Sequence, residues 1–383
     1  MTVASPLSPA AAAFAPDEAE LRAAIEAAAK RLPDARADFP AAWQALSATG
    51  LFALPFAAED GGLGLRLPAV MNVVEGLGQH AADPGLVFSA CTHLCALGLP
   101  VARFAAPELA AELLPRIQDG TLIGAHAITE PDAGSAAFDM TTSAVPVPGG
   151  WRISGEKCFI SNSTVAGMFV VYARSNPDAG ALSGFSAFLV PAGAPGLTIG
   201  RATPKIGLGS SPFGPLWFDG VFVPDSHVLG RPGMGYAILD FVMKREILIT
   251  FAGHLGQMQR RFDALRDHVR ARRQGGVRIA SHQSVGHRVV DGFIRLETAR
   301  MWLYRAAEAV AAGQSAAREI AVAKLLVSEA NLDLALDAVR LRGGAGYLAE
   351  AGHGAEVADA LGGVIYSGSS EIQRHRIAAT LGF

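Results

Sequence analysis

Two polar segments hold residue types suited to binding a planar, acceptor-rich ligand. The first, AHAITEPDAGSAAFD at residues 125–139, places small and hydroxyl-bearing residues in a turn after a short strand, which leaves backbone N–H groups free to donate. The second, WRISGEKCFISNS at residues 151–163, offers Phe159 as an aromatic wall beside the hydroxyl of Ser161. Alone, each segment also fits an ordinary surface turn or strand. Together they predict a loop that holds a ring against an aromatic side chain.

A carboxylate that could act as a base lies further along the chain, at Glu246. Val242 and Met243 precede it and the apolar run 247–249 follows, so a helix through this region presents Glu246 on a largely apolar face. Partial desolvation adapts a carboxylate to proton abstraction near neutral pH. The alternative is a surface glutamate paired with a basic neighbour such as Lys244.

The elements that must position these residues follow a helical, β, helical order. The first third is rich in helix formers, and β-branched and aromatic runs separated by Pro and Gly begin near Thr121. After Pro224, apolar residues recur at helical spacing, for example over 255–269. We therefore predict a multi-domain α+β protein with an N-terminal helical domain (1–120), a middle β-barrel or β-sandwich domain (121–228) and a C-terminal four-helix bundle (229–383).

Composition excludes several classes of protein. Of 383 residues, 50% are hydrophobic and 17% charged, which predicts a packed globular chain and not a disordered one. The net charge of −3 lacks the basic excess that nucleic acid binding requires. Three cysteines (Cys91, Cys95 and Cys158) form no paired spacing, so we expect neither a disulfide framework nor a metal site, and a cytoplasmic location.

Neither the N-terminal segment nor the most apolar window suggests a targeting or membrane segment. The first sixteen residues, MTVASPLSPAAAAFAP, lack the basic start and the long apolar stretch of a secretory signal and are expected to form a mobile arm. The most apolar window, Leu86 to Ala102, is interrupted by His93 and Pro100. We therefore expect no membrane span.

Taken in order, the motifs resemble those of the acyl-CoA dehydrogenase family. The two polar segments match T-E-P-x-A-G-S followed by G-x-K-x-[FW]-I-[ST]-N, and the resemblance extends over nearly the whole chain. It implies an oxidoreductase that uses FAD to remove a proton and a hydride from the α and β carbons of an acyl thioester. Four further segments carry it: GGLGL near residue 61, KIGLGSSPFGPLWFDGVFVP at 205–224, GGAGY at 343–347 and YSGSSEIQR at 366–374.

The resemblance also assigns contacts position by position. The flavin ring would meet a loop and a wall, formed by His126, Ile128, Thr129, Gly134, Ser135, Phe159, Ile160 and Ser161. The substrate would meet Ser135, Tyr366, Ser367 and Gly368. The rest of the dinucleotide would meet Arg272, Gln283, Arg340, Gly343, Gly344, Ser369 and Glu371.

Arg272 and Gln283 match positions that reach FAD across a subunit boundary in the family, so the resemblance implies a homotetramer or homodimer. An arginine also suits a pyrophosphate by its own chemistry, because its guanidinium presents several fixed donors to phosphate oxygens. A solvated helix charge is the alternative for Arg272.

The base is where the sequence departs from the commonest family pattern. Many members carry a glutamate just after the tyrosine of Y-E-G-[ST], and this chain has Ser367 there. A serine hydroxyl has no accessible basic form near neutral pH, so we expect Ser367 to shape the acyl cavity or to bond the thioester. Glu246 matches the alternative base position of isovaleryl-CoA and long-chain acyl-CoA dehydrogenases, although Ile247 replaces their following arginine.

Other readings of the same residues remain. A flavin monooxygenase on this fold needs no α-proton base, and a non-catalytic scaffold could dock acyl carriers. The thioester handle could be coenzyme A or a carrier protein, and the reduced flavin could be reoxidised by an electron-transfer flavoprotein or by oxygen. Losses of common family residues at Gly209, Gly275 and Ala358 resemble specialised biosynthetic members.

Overall fold

The computed structural model describes residues 16–180 and 182–383, and in it helices precede and follow a single large sheet. The predicted helical, β, helical order is confirmed. The expected N-terminal arm lies outside the described residues, except for Pro16, which begins the first helix.

Helix starts in the first third follow the capping residues of the sequence. The carboxylates of Asp38 and Asp83 accept hydrogen bonds from the backbone N–H groups of Ala41 and Gly85, both at 2.9 Å, and each helix has a proline in its first turn. The helices are α1 (Pro16–Ala29), α2 (Phe39–Ser47), α3 (Leu67–His80), α4 (Pro84–His93), α5 (Leu99–Phe104) and α6 (Pro107–Gln118).

The middle of the chain forms a seven-stranded sheet. Its order is β1-β4-β2-β3-β7-β6, with β5 paired to β4; β1 and β2 run parallel to β4, and the other pairs are antiparallel. The strands are β1 (Gly124–Ala127), β2 (Ser143–Val147), β3 (Gly150–Ser161), β4 (Met168–Arg174), β5 (Phe185–Pro191), β6 (Leu197–Ile199) and β7 (Phe213–Pro224).

The last third is built on three long helices. A short hairpin separates the first two, and α9 packs against α7, α8 and α11. The elements are α7 (Gly235–Ala271), β8 (Arg273–Gln274), β9 (Val277–Arg278), α8 (Gln283–Ala311), α9 (Ala317–Arg340), α10 (His353–Gly362) and α11 (Ser370–Thr380).

The most apolar helical stretch of the described chain is a core element. A π-helical turn at Leu94–Gly98 joins α4 to α5, so that Pro84–Phe104 forms one helix of 21 residues, whose most apolar 18-residue window has a mean hydropathy of 1.6. This helix extends beyond the window Leu86 to Ala102 identified in the sequence, and by length and composition alone it is long and apolar enough to cross a membrane. However, 83% of its most apolar window is buried inside the protein, as expected for a central core helix.

Two glycines bring α7 and α3 into backbone contact. A methyl group on Gly256 would overlap the carbonyl oxygen of Glu75, and one on Gly78 would overlap the carbonyl of Gly253. Close packing of this kind tolerates no added side chain. Because Glu246 lies on α7, this contact also fixes the helix that carries the candidate base.

We therefore expect Gly256→Ala to lower the free energy of unfolding by about 2 kcal/mol through overpacking. Gly354→Ala, in α10, is the matched control because a methyl group there meets nothing within 4 Å. It should change stability by less than about 1 kcal/mol. Urea unfolding of both variants measures the difference, and equal midpoints would contradict a tight α3–α7 contact.

Candidate active site

A cavity of about 1080 Å³ opens between the sheet and α7 and α9. Its lining includes most of the residues that the sequence predicted, from segments far apart along the chain. These are His126, Ile128, Thr129, Gly134, Ser135, Phe159, Ile160, Ser161, Glu246, Tyr366, Ser367, Gly368 and Ser369.

A β-bulge turns Phe159 toward this cavity. The β3–β7 register shifts between Lys157 and Ile160, and Phe159 takes a positive φ of 60°, which is uncommon for an aromatic residue. Its side chain remains 62% exposed and stacks on Phe213, with ring centroids 5.9 Å apart. The strained backbone thus presents an open aromatic face, as a wall for a planar ligand requires.

A buried ion pair holds the two predicted cofactor segments together. Lys157 is fully buried and donates to Glu130 Oε1 at 2.9 Å and to the carbonyl of Ile128 at 2.8 Å. Burial alone would raise the pKa of Glu130, but hydrogen bonds from Thr141 and Thr142 and the charge of Lys157 lower it to about 2. Burial lowers the pKa of Lys157 to about 8. This ion pair anchors the segment 125–139 to strand β3.

Glu246 and Ser367 meet at the cavity wall although they are 121 residues apart. Ser367 takes a φ of 55° and its hydroxyl donates to Glu246 Oε1 at 2.7 Å. The sequence alone allows this hydroxyl to bond the thioester. Its single proton is donated to Glu246 instead, so the hydroxyl has no proton left to donate to a thioester oxygen. The two base positions known in the family therefore converge on one point of this cavity.

The second oxygen of Glu246 and one nitrogen of His126 are left without partners. Within the described chain, Glu246 Oε2 and His126 Nδ1 are buried and accept or donate no hydrogen bond, while His126 Nε2 lies 3.8 Å from Oε2. Burial lowers the pKa of His126 against the opposing effect of the Glu246 charge. Buried polar atoms are almost always paired, and these two unpaired atoms belong to side chains that line the cavity.

A chain of buried polar side chains fixes Tyr366. Arg261 can only donate, so Asn331 Oδ1 faces it and Asn331 Nδ2 donates to His254 Nδ1 at 2.7 Å. His254 Nε2 then carries the proton and donates to the Tyr366 hydroxyl oxygen. Burial and the charges of Arg261 and Lys324 lower the pKa of His254 to about 3, which keeps the ring neutral.

Six predicted dinucleotide contacts do not line the cavity of this chain: Arg272, Gln283, Arg340, Gly343, Gly344 and Glu371. All six are exposed, and the first two lie where α7 ends and α8 begins. Sequence reasoning also missed part of the lining, including Lys205 and Phe213, although both belong to the quoted segment 205–224. Lys205 lies over the Phe213 ring, 4.7 Å from its centroid.

Comparison with known proteins identifies the family. Three family profiles match the chain: the acyl-CoA dehydrogenase N-terminal domain at residues 9–121, the middle domain at 125–221 and the C-terminal domain at 232–382. The chain therefore belongs to the acyl-CoA dehydrogenase family. It is an FAD-dependent oxidoreductase that acts on a CH–CH group of an acyl thioester.

Three similar proteins illustrate the range of this family. An L-prolyl-(peptidyl-carrier protein) dehydrogenase of Serratia sp. (strain ATCC 39006) is 38% identical over 340 residues, which cover 89% of this chain and 88% of that protein. The mitochondrial isovaleryl-CoA dehydrogenase of Oryza sativa subsp. japonica is 31% identical, with 88% and 82% covered. The solved structure of PigA with FAD and proline has a TM-score of 0.93 at 35% identity, with 96% and 98% covered.

The residues present fit a flavin. The exposed face of Phe159 and the loop fixed by the Glu130–Lys157 pair border one large cavity. Phe159 to Ser161 and the loop from Thr129 to Ser135 would hold the ring system. These observations agree with the cofactor of the family.

The Glu130–Lys157 pair predicts how the folding stability of the protein depends on pH in the acid range. The folded-state pKa of Glu130, about 2, lies below its ordinary value of 4.5. Its stabilising contribution is therefore fully present above about pH 4.5 and is lost as the pH falls toward 2. We expect Glu130→Gln to lower stability at pH 7 by roughly 3 kcal/mol and to remove this part of the acid dependence.

Thermal unfolding between pH 7 and pH 2 measures both effects. Glu59→Gln removes an exposed carboxylate and serves as the control. An acid profile of Glu130→Gln that runs parallel to the wild-type profile would show that the pair does not stabilise the loop.

Proposed function

We propose that this enzyme dehydrogenates a prolyl group held as a thioester on a carrier protein, with Glu246 as the base. The observation that carries the proposal is the Glu246 carboxyl group at the wall of the cavity, with Oε1 bonded by Ser367 and Oε2 without a partner among the described residues. The choice of acyl group rests on the Serratia relative, which acts on prolyl-carrier protein, and on the structure of PigA with proline.

The proton step follows from the geometry of Glu246. Its side chain is only 10% exposed, so bulk water does not compete for Oε2. Ser367 holds Oε1, which orients the carboxylate and leaves Oε2 to remove the α proton of the thioester. The thioester carbonyl makes that proton acidic, and hydrogen bonds to its oxygen stabilise the negative charge that develops.

The cofactor of the family would supply the second half of the reaction. When bound, FAD would accept the β hydride, so that loss of one proton and one hydride leaves an α,β double bond. An electron-transfer flavoprotein or oxygen would then take the two electrons. A flavin monooxygenase that hydroxylates another carbon or a nitrogen requires no α-proton base, so a carboxylate on the cavity wall at position 246 favours dehydrogenation over that alternative.

The residues at and near the rim of the cavity also support a carrier-bound substrate. Ala358 lines it, and a methyl group added to Gly209, in the adjoining loop, would meet no atom within 4 Å. The family commonly has arginine at both positions, so the cation common at position 358 is absent from this lining, which contains Lys205, Lys244 and Arg376. Cys91, Cys95 and Cys158 are free and buried, which supports the cytoplasmic location that we propose.

We further propose that the FAD site is completed by a second copy of the chain. Arg272 and Gln283 are exposed and do not line the cavity of their own chain. The neighbouring helix α8 exposes apolar side chains at helical spacing that a partner would cover. These are Val290 (54% exposed), Phe293 (45%), Ile294 (54%) and Met301 (62%).

Replacing the base gives the first functional test. Glu246→Gln should keep FAD but slow flavin reduction by prolyl-carrier thioester by about 10²- to 10⁴-fold, because an amide cannot accept the α proton. Anaerobic bleaching of the flavin measures the rate, with prolyl-CoA in a parallel series to compare handles. Wild-type bleaching by Glu246→Gln would remove Glu246 from its role.

The contact with Ser367 allows a rescue variant. Because Ser367 Oγ lies 2.7 Å from Glu246 Oε1, a carboxylate at position 367 can reach the same region of the cavity. Ser367→Glu combined with Glu246→Gln should recover part of the lost rate, whereas Ser367→Ala with Glu246→Gln should not.

The subunit proposal predicts linked losses of assembly and cofactor. The native mass should be two or four times the 39.7 kDa of one chain. Ile294→Glu should shift it toward the monomer and release FAD, because a buried charge opposes the interface. Arg272→Ala should weaken FAD retention without changing the mass, and Arg318→Ala, an exposed arginine on α9, should do neither. A monomer that retains FAD fully would contradict shared binding.

A further inference from the structure

One rim of the cavity carries an arginine that the dehydrogenation step leaves unexplained, Arg376. This rim, the helical rim, lies where three helices of the C-terminal third meet. Its residues all line the cavity: Lys244 on α7, Ala317 on α9, and Arg376 and Ala379 on α11. Arg376 is exposed, whereas the side chain of Glu246 is only 10% exposed. Arg376 therefore stands at the outer end of the space into which Glu246 faces.

The packing of the bundle brings these helix ends together. Lys324 of α9 lies over the Phe251 ring of α7, 5.5 Å from its centroid. Further along both helices, Asn331 donates to His254 at 2.7 Å, so α9 runs in the same direction as α7. Going back along α7 from Phe251 to Glu246 therefore leads to the start of α9.

Helix α11 runs the other way and places Arg376 near α9. Arg374 pairs with Glu329 at 3.2 Å, and two residues later the charge of Arg376 acts on Lys324. Burial is the main cause that lowers the pKa of Lys324 to about 8, and the charge of Arg376 adds to it against the opposing charges of two glutamates. The guanidinium group of Arg376 is therefore close to a second cation on α9.

Arg376 differs from the other cations of the cavity because it has no partner. Among the described residues, three lysine or arginine side chains line the cavity. Lys205 lies over the Phe213 ring, and Lys244 is neutralised by Asp240, one turn before it on α7. Within residues 16–180 and 182–383, Arg376 forms no hydrogen bond or ion pair. Its charge is therefore the one at the helical rim that remains available to an anion.

The proposed substrate carries an anion at the required end. A carrier protein holds its acyl group as a thioester at one end of a pantetheine arm, and the other end of that arm is a phosphate ester. With the thioester beside Glu246, the phosphate lies at the outer end of the cavity. A guanidinium group presents several fixed donors to phosphate oxygens, which makes arginine well suited to this contact.

We propose that Arg376 binds the phosphate that ends the pantetheine arm, while the thioester lies beside Glu246. This inference rests on the proposed function and adds to it a second anchor for the substrate, at the helical rim. The contact is made by the arm and not by the acyl group. Arg376 therefore holds any acyl group that the arm delivers, and the inner part of the cavity selects among them.

Thiols without an acyl group test the phosphate contact apart from the reaction. Wild-type holoenzyme should bind 4′-phosphopantetheine about 10-fold more tightly than pantetheine, because only the former carries the phosphate. Isothermal titration calorimetry measures both dissociation constants. Equal constants would overturn the proposal and leave the role of Glu246 untouched, since neither thiol has an acyl group to deprotonate.

Two positions on α11 locate the effect. Arg376→Gln should remove most of this difference in affinity, and Arg376→Lys should keep part of it because the positive charge remains. Arg374→Gln is the matched control, because Arg374 is exposed on the same helix, pairs with Glu329 and does not line the cavity. The unfolding midpoint of each variant shows that the protein is folded. An unchanged difference in folded Arg376→Gln would refute the contact.

Flavin reduction shows which phosphate Arg376 meets. With prolyl-carrier thioester, Arg376→Gln should raise KM by about 10-fold and leave the limiting rate of reduction unchanged, because the phosphate is remote from the reacting carbons. FAD content should stay at the wild-type level. Loss of FAD from Arg376→Gln but not from Arg374→Gln would assign Arg376 to the cofactor. A raised KM for prolyl-CoA alone would assign it to the nucleotide, and either result would overturn the proposal.

Discussion

The site depends on one buried carboxylate whose two oxygens have different surroundings. Glu246 Oε1 accepts the Ser367 hydroxyl, whereas Oε2 is buried at the cavity wall with no partner in the described chain. A buried polar atom without a hydrogen-bond partner is costly. The protein accepts this cost where the substrate approaches, which is typical of residues selected for chemistry and not for stability.

The surrounding structure keeps that carboxylate in place. Helix α7, which carries Glu246, packs against α3 through glycine contacts that exclude any side chain, and the sheet side is fixed by the buried Glu130–Lys157 pair. On the third side, Arg261 orients Asn331, which orients His254 and thereby Tyr366. Close packing fixes the first wall and paired donors and acceptors fix the other two, so these walls are held in place without a bound ligand.

The sequence predicted the fold because its signals are local. Proline and glycine mark the ends of the strands, and the apolar spacing over 255–269 identifies the second half of α7 (Gly235–Ala271), although not its start. The cofactor loop and Phe159 were found because they belong to contiguous motifs, and Glu246 was found because it matches a known alternative position.

The rest of the site depends on contacts between distant segments. That Ser367 would donate to Glu246, and that His126 Nδ1 would be left unpaired, follows only once β1, α7 and the 366–369 turn are brought together. The β-bulge that exposes Phe159 arises from the pairing register of β3 and β7, which composition does not reveal. That Arg272 and Gln283 are exposed and lie outside the cavity of their own chain is likewise known only from the three-dimensional structure.

Exchange of the α hydrogen measures the central claim most directly, because it reports the proton step apart from hydride transfer. In D₂O, reduced holoenzyme with carrier-bound prolyl thioester should incorporate deuterium at the α carbon faster than an enzyme-free blank. Glu246→Gln should reduce that exchange to the blank rate. Exchange by Glu246→Gln at the wild-type rate would contradict the assignment of Glu246 as the base.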